Sequence, residues 1–206
     1  LQALWLPGYR RVSDLRDRQE LGEIWGLTIP ETPGMGLAQI VEAAADGRIK
    51  AAFVIGDSPN FSNGKLGDGL AALDNLEFLV VCDSFLSDAA QRSDVVLPRA
   101  TFAEKDGTFT NLERRIQRLK PGKILPEGGA RPEWQVICDV ARKMGAPGFL
   151  LASPSETMDE IARVAPIYAG VSYRGLANQG GLVFKTDLTS PQPTQVLYAS
   201  REDRGL

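Results

Sequence analysis

Apolar positions recur along this chain in two rhythms, one helical and one of short unbroken runs. Leu15, Leu21, Ile24 and Trp25 fall on one side of "SDLRDRQELGEIW", which predicts a helix over residues 13–25, with Ser13 as its cap and Gly26 as its stop. Leu37, Ile40, Val41 and Ala44 share a face of 35–45, a second amphipathic helix ending near Gly47. The run in "RIKAAFVIG" then changes the period. Five consecutive apolar residues closed by Gly56 predict a strand over 49–55 that is buried on both faces, as in a parallel sheet. "LEFLVVCDSF" predicts a second buried strand over 77–82, and "DVVLP" a third over 94–97, stopped by Pro98. Short helices are expected between them, over 66–73 and in "LSDAAQRS".

Strands that alternate with helices in this way need right-handed crossovers. The expected fold is therefore α/β, a Rossmann-like doubly wound parallel sheet flanked by helices. Ligands of such sheets bind outside the C-terminal ends of the strands. Those ends here are "GDSPNFS", "CDSF" and "LPRATFAEKDG", all rich in small polar or charged residues. Beyond them, "RPEWQVICDVARKMG" reads as a helix with Pro132 early in it and Gly145 at its end. "SPSETMDEIARVAP" reads as another, capped by Ser153, and "YAGVSYRGLANQGGLVF" is glycine-rich and irregular. The organisation expected is an α/β domain over 1–148 and a mostly helical, irregular extension over 149–206.

Composition narrows the function classes. The chain has 206 residues, 43% of them hydrophobic and 24% charged, so one large or two small domains can form without disulfides. A net charge of −3 gives no electrostatic support to a nucleic-acid partner. No apolar run reaches the roughly 20 residues that cross a bilayer, and "LQALWLPGYRR" lacks the pattern of a signal peptide. Histidine is absent, and Cys82 and Cys138 stand far apart. A His/Cys zinc site, iron–sulfur spacing and Cys–His or Ser–His catalytic pairs are thereby excluded within this chain. No catalytic or metal-ligating residue is assigned. Free cysteines fit a reducing cytoplasm. Cys138 shares a helical face with Trp134, Ile137, Ala141 and Met144 and reads as a small buried hydrophobe. The start at Leu1 and the short "QVLY" before the C-terminus suggest a piece of a longer chain.

The candidate chemistry lies in the strand-end loops. Gly56 permits close backbone approach, and Asp57 or Ser58 offers short hydrogen-bonding groups, although a polar βα turn has the same look. Neither a P-loop nor a G-x-G-x-x-G pattern is present. Asp83 suits a ribose hydroxyl, a base edge or a helix cap. "TFAEKDGTFTNLERRIQ" carries Glu104 and Lys105 before an Asp106–Gly107 turn, with polar groups suited to a solvated face at Thr108–Thr110 and Glu113–Gln117 after it, and reads from composition as a twisted surface hairpin.

The strings "DVVLPRATFAEKDGTFTNLERRIQRLKPG" and "GGARPEWQVICDVARKMG", with the earlier "LPGYRRVSDLRDRQELGEIWGLTIPETPGM" and "IVEAAADGRIKAAFVIGDSPN", closely resemble the molybdopterin oxidoreductase family. The likeness runs over residues 5 to 175. Within the family it points to the formate dehydrogenase large subunit, and nearly as much to the large iron–sulfur subunit of NADH-quinone oxidoreductase, respiratory complex I. In cofactor-bearing members this α/β domain holds the guanosine end of a molybdopterin guanine dinucleotide. By position, the resemblance places cofactor contacts on Ser58, Ser62, Cys82, Asp83, Lys105 and Glu133, beside Gly56. Ser58, Asp83 and Lys105 are expected to face one crevice. Ser58 stands where Asn or Asp is usual, and Cys82 where Gln or Ser is usual, departures that suit a cofactor-free complex I domain. The resemblance puts the metal ligand, the catalytic His–Arg pair and the iron–sulfur clusters in other segments of the parent. It also implies, as partners, the parent's other domains and neighbouring electron-transfer subunits, on the cytoplasmic face of a respiratory complex if membrane-associated, without membrane insertion.

Overall fold

The computed structural model describes residues 3–56, 69–122, 128–179 and 182–183. In chain order these form the pair β1 (Trp5–Leu6) and β2 (Arg10–Arg11), helices Leu15–Trp25 and Leu37–Ala45, β3 (Ala51–Ile55), helix Gly69–Leu73 and β4 (Phe78–Asp83). Helix Asp88–Gln91, β5 (Val95–Pro98), β6 (Gly107–Thr110), β7 (Arg115–Leu119) and helix Glu133–Lys143 follow. The last elements are helix Pro154–Val164, a 3-10 turn Pro166–Tyr168, helix Tyr173–Gln179 and β8 (Leu182–Val183). They divide into two compact units: Gly34–Lys105 with Gly122–Phe149, and Leu1–Pro33 with Asp106–Pro121 and Leu150–Leu206.

The first of these units is the expected parallel sheet, in the order β3–β4–β5. Side chains alternate along each strand. Leu79 and Val81, with Ala52 and Val54, pack on Leu73, Ala89 and Ala90 from the crossover helices. The sequence predicts burial of β3 on both faces, but Ala51, Phe53 and Ile55 are exposed, Phe53 to 41%. The reason is coverage. Val140 of helix Glu133–Lys143 and Met144 at its C-cap cover that second face only in part, and leave a groove of about 270 Å³ against Ala51, Phe53, Phe78 and Val80.

In the other unit, helix Leu15–Trp25 starts one residue later than Ser13 predicts. Asp14 is the cap, and its carboxylate accepts from the Arg16 and Asp17 amides. Gly26 stops the helix at φ 67°, a left-handed value that glycine adopts without strain. Ser153 caps its helix as expected. β6 and β7 form an antiparallel hairpin that β8 extends. Its turn is not at Asp106–Gly107: Gly107 opens β6, and the chain reverses at 111–114, where the Asn111 side chain accepts from the Arg115 amide and Arg114 takes φ 61°. Asparagine's local side-chain bond supplies the turn signal there. The stretch predicted as irregular contains helix Tyr173–Gln179, because Val171, Tyr173 and Leu176 bury together with Ile116 and Met158. Arg118 grips Asp106 with Nε at 2.9 Å and Nη2 at 2.5 Å, and lies 4.8 Å over the Tyr173 ring. Burial, then the charge of Asp106, pushes the Tyr173 phenol up to about 12.

Leu79 is 2% exposed and Leu112 fully exposed. Leu79→Ala is expected to cost about 2–5 kcal/mol, whereas Leu112→Ala stays within about 0.5 kcal/mol. Urea denaturation measures both, and equal effects contradict this assignment of the core.

Candidate functional site

Three parallel strands end on one edge, and their register decides what meets there. Ile55 pairs with Cys82, and Asp83 with Pro98, so Gly56, Asp83–Ser84 and Arg99 emerge side by side. The ladder continues one step past the strands: the Gly56 amide donates to the Cys82 carbonyl at 2.8 Å, and the Arg99 amide to the Asp83 carbonyl at 3.0 Å. Arg99 also pairs in parallel with Arg131. The Arg131 amide donates to the Pro98 carbonyl and the Ala100 amide to the Arg131 carbonyl, at 3.1 and 2.9 Å. That bridge lays Pro132 and the start of helix Glu133–Lys143 along β5. Proline suits a helix start because the first amides lack intrahelical partners.

The loop after Arg99 folds back on itself. The Glu104 carboxylate accepts from both the amide and the hydroxyl of Thr101 at 2.8 Å. The Gly122 amide donates to the Ala103 carbonyl at 2.8 Å. The next residue is Lys105, whose ammonium donates to both oxygens of Glu133, 2.6 Å from Oε1. Arg99 Nη1 donates to the same Oε1 at 3.2 Å, and Arg99 Nε donates to Ser84 Oγ at 3.3 Å. Two cations thus share one carboxylate, all three side chains being 18–26% exposed. Burial pushes the Glu133 carboxyl up. The hydrogen bonds and charge of Lys105, with the charge of Arg99, outweigh it and hold the group below the ordinary glutamate value of 4.5.

The guanidinium of Arg99 lies over Gly56. A Cβ at Gly56 would sit 3.1 Å from Arg99 Nη1, so the guanidinium would have to shift by a few tenths of an ångström, and φ 86° is a backbone conformation that glycine adopts without strain. Cys82 is fully buried, and burial raises its thiol, against the pull of Arg99. Asp83 is 4% exposed, and its carboxylate serves its own loop. Oδ1 accepts from the Ser84 amide at 2.6 Å, and Oδ2 accepts from the Ser87 hydroxyl at 2.9 Å. Ser87 in turn caps helix Asp88–Gln91.

Of the residues expected from the sequence, Gly56, Lys105 and Glu133 therefore share one cluster, with Cys82 near enough to feel its charges. Asp83 lies at the same edge, turned into its loop, and Ser58 and Ser62 lie outside the described residues. Arg99 and Ser84 are additions. Both directly follow a strand, the position that a parallel sheet marks for ligand contacts, but their types match no phosphate motif. Among the described residues no group of His, Cys, Asp and Glu could hold a metal ion, and no helix is long and apolar enough to cross a membrane.

The fold is that of an α/β domain whose parallel sheet gathers charged side chains at the C-terminal edge, where ligands of such sheets bind. The molybdopterin oxidoreductase family model matches residues 12–143, more than half of the chain, and the chain belongs to that family. It is 43% identical over 177 residues to a probable oxidoreductase (YjgC) of Bacillus subtilis strain 168, covering 86% of this chain and 18% of that protein. It is 37% identical to a putative formate dehydrogenase (YrhE) of the same organism, covering 94% and 19%. A third relative is the F420-dependent formate dehydrogenase 2 subunit alpha of Methanococcus maripaludis, at 39% identity, 84% of this chain and 25% of that one. The solved structure of acetylene hydratase from Pelobacter acetylenicus matches with a TM-score of 0.56 at 19% identity, over 79% of this chain and 23% of that chain, which is a likeness of fold. The chain thus spans no more than a quarter of each of these proteins.

The geometry gives two expected outcomes. Gly56→Ala costs about 1–3 kcal/mol, from strain at positive φ and the clash with Arg99, and Arg99→Ala recovers part of that loss. Strict additivity in a denaturation double-mutant cycle contradicts the contact. Because the Glu133 pKa is lowered on folding, its contribution is fully present above the unfolded value near 4.5 and is lost as pH falls through the lower folded value. The stability gap between the protein and Glu133→Gln is therefore constant from neutral pH down to the unfolded value and narrows below it. A gap that widens toward acid contradicts the sign.

Proposed function

We propose that this chain forms part of the large subunit of a formate dehydrogenase-like electron-transfer enzyme and that its strand-end crevice holds the guanosine end of a molybdopterin guanine dinucleotide. The observation that carries the reading is the convergence of Lys105, Arg99 and Glu133 above Gly56, at the edge where parallel sheets bind nucleotides. The residues suit the group. A carboxylate accepts from amide, amino or hydroxyl donors such as guanine and ribose present, and an ammonium meets a diphosphate as a point charge. Gly56 keeps the floor free of a side chain. The similarity to proteins named as formate dehydrogenases supports the choice of parent.

When bound, the cofactor supplies the redox-active metal centre; this chain's residues bind and orient one end of it. The metal ligand, catalytic pair and clusters belong, on this reading, to other segments of a cytoplasmic enzyme that works with further electron-transfer subunits. One observation favours a second reading, the cofactor-free structural domain in the large iron–sulfur subunit of complex I. Cys82 has no exposed surface where the family usually offers a polar contact.

The test uses full-length protein produced anaerobically with molybdate, with GMP released on acid hydrolysis counted per polypeptide. Loss of a charged hydrogen-bond partner is worth about 1.5–3 kcal/mol, so Glu133→Ala and Lys105→Ala are expected to lower nucleotide retention about tenfold or more under mild dialysis. Exposed Lys50→Ala serves as control. Equal retention in all three variants contradicts the crevice, and no GMP in the unmodified protein favours the second reading.

A further inference from the structure

Arg99 and Arg118 use their donors differently. Arg118 places two donors on one carboxylate and its face on a ring, a closed structural arrangement. Arg99 places Nε on the Ser84 hydroxyl and one Nη1 hydrogen on Glu133. A guanidinium has five N–H donors in a rigid fork. Among the described residues, Nη2 and the second Nη1 hydrogen of Arg99 have no acceptor. Those donors lie on the side of Gly56, with Nη2 3.9 Å from where a Cβ would be.

The charged groups at this edge differ in what they leave open. Lys105 and Arg99 contribute two positive charges, and Glu133 one negative. The nearby carboxylate of Asp83 is held in its own loop by Ser84 and Ser87. With Asp83 counted the described side chains at this edge balance, but Asp83 and Glu133 already accept from neighbouring groups, and the planar donor edge of Arg99 stays open in a partly desolvated place where charged hydrogen bonds are strongest. A planar fork matches two oxygens of a phosphate, whereas an ammonium meets a phosphate only as a point charge.

We infer that Arg99 is a specificity-determining residue of this crevice. It is steered by Ser84 and Glu133 across the ends of all three strands, so that its free edge takes the phosphate oxygens of the nucleotide. The crevice then selects a nucleoside diphosphate over the nucleoside alone. Glu133 has a double task, serving as an acceptor in the crevice and fixing the angle of the fork. This inference rests on the nucleotide reading above and adds to it the group that reads the phosphates.

The experiment measures GDP and guanosine binding by calorimetry to full-length protein made without the pterin cofactor, at two salt concentrations. Arg99→Ala should weaken GDP about tenfold or more and guanosine less than about threefold, and it should flatten the salt dependence of GDP binding. Arg99→Lys should restore the salt dependence but only part of the affinity, because the charge returns without the fork. Far-UV circular dichroism confirms folding, and Arg99→Lys stands in should the alanine variant not fold. If the unmodified protein binds GDP and both variants match it, Arg99 has no such role while the nucleotide reading survives. If both variants lose GDP and guanosine in equal proportion, the role is structural and the inference fails. If the unmodified protein binds neither compound, both the nucleotide reading and this inference fall.

Discussion

One carboxylate, that of Glu133, sets the layout of the charged edge in the parallel-sheet unit. Lys105 arrives from the loop after β5 and Arg99 from the strand end itself, and both donate to the one carboxylate, Lys105 to both oxygens and Arg99 to Oε1. Partly buried charges of one sign would repel and would be costly to desolvate. Placed at the first turn of helix Glu133–Lys143, the carboxylate offsets that cost and also meets the positive end of the helix dipole. Everything upstream serves its position: the parallel bridge from Arg99 to Arg131, the helix-starting Pro132, and the Thr101–Glu104 turn that brings Lys105 back. Removing it would leave two cations with one anion fewer than they need, so its loss exceeds that of an ordinary surface pair.

Much of this was legible in the sequence, because strong local signals set it. The three apolar runs became β3, β4 and β5 within two residues of their expected bounds, and Gly26 and Ser153 act at helix ends as their types predict. What was missed depends on a choice between similar local signals or on neighbours distant in sequence. Asp14 displaced Ser13 as a cap, since two adjacent cap-forming residues look alike until the backbone chooses between them. The hairpin turn lies at Asn111, not at the more conspicuous Asp106–Gly107, because Asp106 is committed to Arg118 on the opposite strand. Helix Tyr173–Gln179 has glycine within it and little intrinsic propensity, and it exists through packing on Ile116 and Met158. Arg99 could not be ranked as a site residue without knowing that Ser84, Gly56 and Glu133 surround it.

Membership of the molybdopterin oxidoreductase family gives the crevice its meaning. The likeness to the three relatives named above extends over at least 84% of this chain, yet the chain spans no more than 25% of any of them. On the proposed reading the domain works by binding and orienting, and its contribution to chemistry is the precision with which one end of a long cofactor is held. The described residues supply cations, a carboxylate and a bare glycine floor at one edge. On the reading proposed above, that set is suited to holding a nucleotide.

The cofactor content of the full-length protein, purified without oxygen, decides whether the crevice holds a nucleotide: molybdenum and tungsten by elemental analysis, with GMP assayed after hydrolysis. Metal and GMP in near-stoichiometric amounts with the polypeptide are the expected result. Iron and sulfide without molybdenum, tungsten or GMP would contradict it and would make the crevice a structural remnant in an electron-transfer scaffold.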